Sequence, residues 1–168
     1  MRRRIDLDGR WDFLHAGTNS FQPVKVRDAA IPGPWQAQFA DLRMRAGIGI
    51  FRRSFVLPPG WRDGSVVLCF GAVFHTTRVW VNGLPVGTNE GGFLPFEFDI
   101  TEAVVEGDNE IKVRVESPTD NLLAYPDTPL AEMPFGKQSW YGPLSGIWQS
   151  VFVECRAHDA IHAVRVRP

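Results

Sequence analysis

The stretch NEIKVRVE, residues 109–116, decides the fold class. Ile111, Val113 and Val115 alternate with charged residues along it. Successive side chains of a β-strand point to opposite faces of the sheet. The stretch therefore predicts a strand with one face in a core and the other in water.

The same period of two recurs along most of the chain. Further segments rich in β-branched and aromatic residues are predicted strands: WDFLHAG (11–17), IFRRSFVL (50–57), SVVLCFGAV (65–73), TTRVWVN (76–82), FEFDI (96–100), WQSVFVEC (148–155) and IHAVRVRP (161–168). Many short strands separated by turn residues predict an all-β sandwich or barrel.

Two local signals refine this pattern. Asn82-Gly83 lies between apolar residues and predicts a type I′ hairpin, because both central residues of that turn need positive φ. Residues 99–107 are the only stretch with a helical pattern, where Asp99 or Thr101 caps a single turn that ends at Gly107.

Composition restricts the partners. The 168 residues suit one domain spanning 1–168, and the formal charge of −1 provides no broad field for nucleic acid or an anionic membrane. No run approaches the roughly 18 apolar residues of a membrane span. We therefore expect a cytoplasmic protein with neither a nucleic-acid nor a membrane partner.

The sequence predicts no cofactor, metal site or catalytic residue. Cys69 and Cys155 lie in strand-like runs and are expected to be reduced, partly buried thiols. The four histidines form no cluster with metal-ligand spacing. Glu90 follows Asn89 in a loop and has no obvious partner carboxylate, whereas a glycosidase needs two facing carboxylates. Trp11 and Trp35 are interpreted as structural.

An ordered set of motifs carries a family resemblance. The set comprises LDGRWDF (7–13), IPGPWQ (31–36), where two prolines favour an extended path, GIFRRSF (49–55), FGAVFHTTRVWVNGLPVG (70–87), GGFLPFEFDIT (91–101), GDNEIKVRV (107–115) and SGIWQSVFVE (145–154). In this order, the set resembles the N-terminal sugar-binding domain of family 2 glycoside hydrolases, the group of β-galactosidases, β-glucuronidases and β-mannosidases. The resemblance covers residues 6–168.

The resemblance implies a jelly-roll antiparallel β-sandwich that binds carbohydrate, a β-glycoside. It also implies that immunoglobulin-like and (β/α)₈ barrel domains follow, and that the barrel supplies both catalytic glutamates. The chain is accordingly expected to be a domain excised from a larger hydrolase and to be inactive alone.

The resemblance also points to substrate-binding residues. In the family, the loop before SGIW reaches toward the active site, and here that loop is FGKQSWYGPL (135–144). Lys137 and Gln138 can hydrogen-bond sugar hydroxyls, and Trp140 and Tyr141 can stack on a pyranose. No acidic residue lies in this loop, although β-galactosidases and β-glucuronidases typically carry one there. Residues 145–148 are interpreted as a corner that bends at Gly146 and buries Trp148.

Two other functions stay open at this point. A free-standing carbohydrate-binding module would bind an oligosaccharide through Trp140. A structural domain would instead form a homo-oligomer or docking surface around Trp80, which shares a strand face with Thr76, Arg78 and Asn82.

Overall fold

The structure, a computed structural model, describes residues 3–16, 25–117, 144–157 and 166. Twelve strands, one helix and one 3-10 turn lie in these residues: β1 Arg3–Asp6, β2 Gly9–Ala16, β3 Arg27–Ile31, α1 Trp35–Gln38, the 3-10 turn Ala40–Leu42, β4 Gly47–Leu57, β5 Ser65–Phe70, β6 Val73–Phe74, β7 Thr76–Val81, β8 Leu84–Asn89, β9 Phe96–Asp99, β10 Gly107–Ser117, β11 Gly146–Ile147 and β12 Val151–Arg156. No helix in this part of the chain is long and apolar enough to cross a membrane.

The strands form two main antiparallel sheets and one short pair. The larger sheet has the order β3-β2-β4-β10-β7-β8, and the smaller one has the order β1-β12-β5-β9. β11 pairs with β6. The predicted antiparallel β-sandwich is therefore confirmed.

A single apolar core lies between the two sheets. Phe51 and Val113 of the larger sheet and Leu68 and Val153 of the smaller one are all fully buried in the same cluster. The predicted alternation along β10 is confirmed. The buried residues are Ile111, Val113 and Val115, and the charged residues between them, Lys112 and Arg114, are partly exposed. The core is a close-packed β-sandwich interior.

The local predictions have mixed outcomes. Asn82 and Gly83 have φ of 50° and 81° and join β7 to β8, which confirms the predicted hairpin turn. Residues 99–107 contain the predicted single capped turn, which is too short to form a helix: the Val104 N–H donates to the Ile100 carbonyl, and the Asp99 carboxylate accepts the Thr101 N–H.

The one described α-helix, α1, lies where an extended path was expected. Pro34 is extended, with φ −71° and ψ 145°, and the helix begins at the following residue. Trp35 is fully buried, which confirms its structural interpretation, as does the 1% exposure of Trp11. Strand β3 was not predicted, and the predicted strand 161–168 lies outside the described residues apart from residue 166.

Both cysteines are free and buried, as predicted. On the outer face of the smaller sheet, Cys69 lies beside an ion-pair network in which Arg156 binds Glu97 at 2.7 Å and Glu154 at 3.1 Å. Burial raises the pKa of the Cys69 thiol to about 11. The thiol is therefore protonated near neutral pH and belongs to the packing of this sheet.

Candidate functional site

The four predicted substrate-binding residues, Lys137, Gln138, Trp140 and Tyr141, lie outside the described residues. Their roles stay predictions. The structure does describe the two positions from which the segment 118–143 starts and to which it returns, Ser117 at the end of β10 and Leu144 just before β11. The site is built from these two anchor points.

A buried hydrogen-bond group joins the two anchor points, and we call Gln36, Ser117 and Ser145 the loop frame. The Gln36 amide nitrogen donates to the Ser145 hydroxyl at 2.8 Å, and its amide oxygen accepts the Ser145 backbone N–H at 2.8 Å. The hydroxyls of Ser117 and Ser145 also hydrogen-bond to each other. All three residues are buried. Ser117 and Ser145, which flank the segment 118–144 in sequence, are therefore held together at one place.

Helix α1 holds the loop frame from the other side. The Trp35 backbone N–H donates to the Ser145 carbonyl at 3.1 Å, and its indole N–H donates to the Arg45 carbonyl at 2.8 Å. Gly146 has a φ of +109°, and a Cβ there would lie 3.2 Å from both Trp35 and Phe51. The predicted bend at Gly146 is thus confirmed, because the position needs both the left-handed backbone and the absence of a side chain.

An aromatic cluster of Phe74, Phe93 and Trp148 lies next to the loop frame, because β11 pairs Gly146 with Phe74. The Phe93 ring makes edge contacts with Phe74 at 5.7 Å and with Trp148 at 6.2 Å between centroids. The Trp148 indole N–H donates to the Gly92 carbonyl at 2.8 Å. These contacts fix the positions of all three rings.

The aromatic cluster is only partly covered. Phe74 is buried, whereas Phe93 is 57% exposed and Leu144 is 59% exposed. Trp148 is half-buried, so the expectation of a buried ring was too strong. A rigid aromatic surface with open faces is the kind of platform on which the apolar side of a sugar ring stacks.

Two histidines flank this end of the sandwich. His75 is 5% exposed, and its Nδ1 lies 3.2 Å from the Thr76 hydroxyl. His15 makes an edge contact with Trp35 at 5.4 Å. Burial lowers the pKa of both imidazoles, against the opposing effects of Glu90 on His75 and of the Ala46 carbonyl on His15. Both rings are therefore neutral at pH 7 and act here as hydrogen-bonding and packing groups.

The described part of the site contains packing and hydrogen-bonding groups. Residues 3–16, 25–117 and 144–157 contain no group of three or more His, Cys, Asp or Glu side chains placed to hold a metal ion. Aromatic surface and hydrogen-bonding groups dominate around the loop frame. Gln36, Ser117 and His75 were missed at the sequence level. Gln36 and His75 lie in family motifs, but nothing in those motifs predicts their hydrogen bonds, and Ser117 lies in no motif.

Comparison with known proteins identifies the family. The model for "Glycosyl hydrolases family 2, sugar binding domain" matches residues 6–154, and the chain belongs to this family. A β-glucuronidase of Paenibacillus borealis is 34% identical over 124 residues, which cover 67% of this chain and 21% of that protein. The human β-glucuronidase is 30% identical over 137 residues, which cover 70% of this chain and 21% of that protein.

Solved structures give the same result. A β-glucuronidase of an uncultured Clostridium species matches with a TM-score of 0.73 and 26% identity, over 93% of this chain and 29% of that one. A Ruminococcus gnavus β-glucuronidase matches with a TM-score of 0.73 and 25% identity, over 91% of this chain and 28% of that one. The chain spans about a fifth of the length of the curated relatives it matches.

Proposed function

We propose that the chain forms one wall of the substrate pocket of a β-glycoside hydrolase whose catalytic carboxylates belong to a separate domain. The observation that carries this proposal is the loop frame: it fixes both ends of the segment 118–143 beside the partly exposed aromatic cluster. In this arrangement, Trp140 and Tyr141 offer stacking surfaces, and Lys137 and Gln138 offer donors to sugar hydroxyls.

The membership in a sugar-binding family and the length of the relatives support this division of labour. We propose that the sandwich has jelly-roll connectivity and that immunoglobulin-like and (β/α)₈ barrel domains complete the enzyme. Binding energy from a wall that does not react can orient the sugar for the groups that do.

The relatives also favour one sugar for a first test. The matching proteins are mostly named β-glucuronidases, and one Ruminococcus gnavus β-glucuronidase structure, 25% identical, is described in complex with uronic deoxynojirimycin. A β-D-glucuronide is therefore the first ligand to test, and a β-D-galactoside, the substrate class named for a Psychromonas ingrahamii relative, is the second.

The test is a calorimetric titration of the 168-residue chain with methyl β-D-glucuronide and methyl β-D-galactoside. A single wall of a pocket is expected to bind one of them with a dissociation constant of about 1 mM. Replacing Trp140 by alanine should weaken that binding at least about tenfold, which corresponds to about 1.4 kcal/mol. The matched control is Phe152→Ala, which removes a half-buried ring on the outer face of the smaller sheet, where β12 pairs with β1.

Two results would contradict the proposal. One is binding that Trp140→Ala leaves unchanged or that Phe152→Ala weakens equally. The other is hydrolysis of a nitrophenyl β-D-glucuronide by the 168-residue chain alone, because a separate catalytic domain would then be unnecessary.

A further inference from the structure

The outer face of the larger sheet carries a compact group of cations, which we call the cationic face: Arg52, Arg78, Lys112 and Arg114. Arg52 of β4, Lys112 of β10 and Trp80 of β7 lie side by side in register. Arg114 and Arg78 lie side by side in the next row on that face. Since neighbouring strands are about 4.8 Å apart, the four cations share a surface about 10 Å wide.

Most of these cations have no carboxylate partner in the described part of the chain. Arg114 pairs with Glu116 at 2.7 Å. No described carboxylate lies within 4.0 Å of Arg52, Arg78 or Lys112. Arg52 and Arg78 are exposed, so their guanidinium donors are available to a ligand.

Trp80 is the positioning residue of the cationic face. The Lys112 ammonium lies over its indole ring, 4.3 Å from the centroid. This cation–π contact holds the ammonium over β7, the strand that also carries Arg78. The half-buried ring that was expected to face outward does so, and its described contact is with a cation of its own sheet.

A groove of about 260 Å³ continues the cationic face beyond Arg52. It is lined by Arg10, Asp12, Arg52, Arg53, Ser54 and Glu110. Arg10 is already paired with Asp28 at 3.1 Å. Asp12 of β2 lies beside Arg52 in register, and Glu110 of β10 lies beside Ser54, so these two carboxylates limit the cationic face on this side.

The unpaired cations and the carboxylates around them favour a ligand that carries separate carboxylate groups. A guanidinium binds a planar carboxylate through two parallel hydrogen bonds, and two of the three unpaired cations are arginines. Asp12, Glu110 and Glu116 border the cationic face, so a continuous row of phosphates would meet repulsion at its edges. Single carboxylates spaced along an otherwise neutral backbone fit this surface better.

We propose that the cationic face binds an acidic polysaccharide chain through the carboxylates of its uronic acid residues, with Arg52, Arg78 and Lys112 as donors. This inference rests on the proposed function, because a chain held on this face would be kept near the pocket of a glycoside hydrolase. The cationic face shares no residue with the loop frame.

The test measures binding of the 168-residue chain to polygalacturonate, to its methyl ester and to duplex DNA, at salt concentrations of about 0.01 M and about 0.15 M. The double variant Arg52→Gln/Arg78→Gln is compared with Arg43→Gln/Arg62→Gln, which changes the net charge equally at two exposed positions elsewhere. We expect polygalacturonate to bind, more weakly at the higher salt. The first variant should lose at least about tenfold in affinity, and the control should change less than about twofold.

Three outcomes would overturn the proposal: equal binding of the acid and its methyl ester, equal losses in the two double variants, or binding of DNA without binding of polygalacturonate. Binding of methyl β-D-glucuronide is measured alongside: a loss of that binding in Trp140→Ala concerns the pocket, whereas a loss of polygalacturonate in Arg52→Gln/Arg78→Gln concerns the cationic face. A failure of the proposed pocket and a failure of the cationic face are therefore seen in different variants.

Discussion

Each end of the sandwich is held by one buried amide side chain, but the two amides organise different kinds of structure. At the end where β10 begins, the Asn109 oxygen accepts the Val105 N–H and an amide hydrogen of Asn82, both at 2.8 Å, while its nitrogen donates to the carbonyls of Val105 and Gly107. We call this the turn end. Every partner belongs to a nearby tight turn.

At the end where β10 finishes, which we call the site end, Gln36 performs the same task across a far greater separation in sequence. Its partner Ser145 is 109 residues away along the chain, and the segment 118–143 lies between Ser145 and Ser117. The partly exposed ring of Phe93 lies at the site end. At the turn end, by contrast, the Asn82 side chain donates to the Ala103 carbonyl of the neighbouring turn. The turn end contributes to stability alone, whereas the site end is also the place where we propose that sugar binds.

The largest expected effect comes from removing either amide. Gln36→Ala and Asn109→Ala should each lower the free energy of unfolding by about 2–4 kcal/mol, because each leaves buried backbone groups without partners. Urea denaturation measures this, with Gln149→Ala as the exposed control, expected to change stability by less than about 0.5 kcal/mol. If only one of the two substitutions lowered the free energy of unfolding, the claim that both ends are held by a buried amide would be wrong.

Two glycine substitutions, one at each end of the sandwich, are expected to lower the free energy of unfolding by smaller amounts. A Cβ at Gly92, at the site end, would overlap the ring of Phe74, so Gly92→Ala should cost about 1–3 kcal/mol. At the turn end, Gly83 has a φ of +81° and nothing within 4 Å of a Cβ, so Gly83→Ala should cost about 1 kcal/mol from backbone strain alone.

A second substitution distinguishes the two causes. Phe74→Leu in the Gly92→Ala background should recover part of the loss, since it relieves the steric overlap. It should recover nothing in the Gly83→Ala background. Equal coupling energies in the two double-mutant cycles would show that the assigned causes are wrong.

The smallest expected effect is a pH dependence confined to the site end. Both described histidines, His15 and His75, lie there, and burial lowers the pKa of each below its ordinary value of 6.5. Each therefore binds a proton more readily in the unfolded chain. Their contribution to stability is complete above about pH 6.5 and is lost as the pH falls through the folded-state pKa values.

Urea midpoints between pH 8 and pH 5 measure this effect. His75→Asn should reduce the fall in stability below about pH 6.5, and amide hydrogen exchange should show weaker protection at the site end before the turn end. Unchanged slopes in both His75→Asn and His15→Gln would assign the acid sensitivity to other groups.

The sequence predicted the parts of this molecule whose causes are local. The alternation of apolar and polar residues predicted β10 and β4. Asn82-Gly83 and Gly146 predicted a turn and a bend, and all three residues have positive φ. Family resemblance then identified the sandwich and the segment before residue 145 as the region of interest.

The parts that were missed depend on side-chain hydrogen bonds that follow no sequence period. Helix α1 is only four residues long, and its Gln38 side chain bonds to the backbone of Ala30 and Gly33, which also orders the unpredicted strand β3. The Gln36–Ser145 bonds leave no periodic trace, because the two residues are far apart in sequence. Trp148 was expected to be buried, but it is only half-buried, and its indole N–H donates to the Gly92 carbonyl.

The most direct measurement is the affinity of Gln36→Ala and Asn109→Ala for the β-glycoside that the unmodified chain binds, at a temperature where both variants are folded. The two substitutions should weaken the fold alike. If the loop frame positions the sugar-binding segment, Gln36→Ala lowers the affinity at least about tenfold and Asn109→Ala leaves it within about twofold. Equal affinities in the two variants would contradict a site at the end of the sandwich held by Gln36.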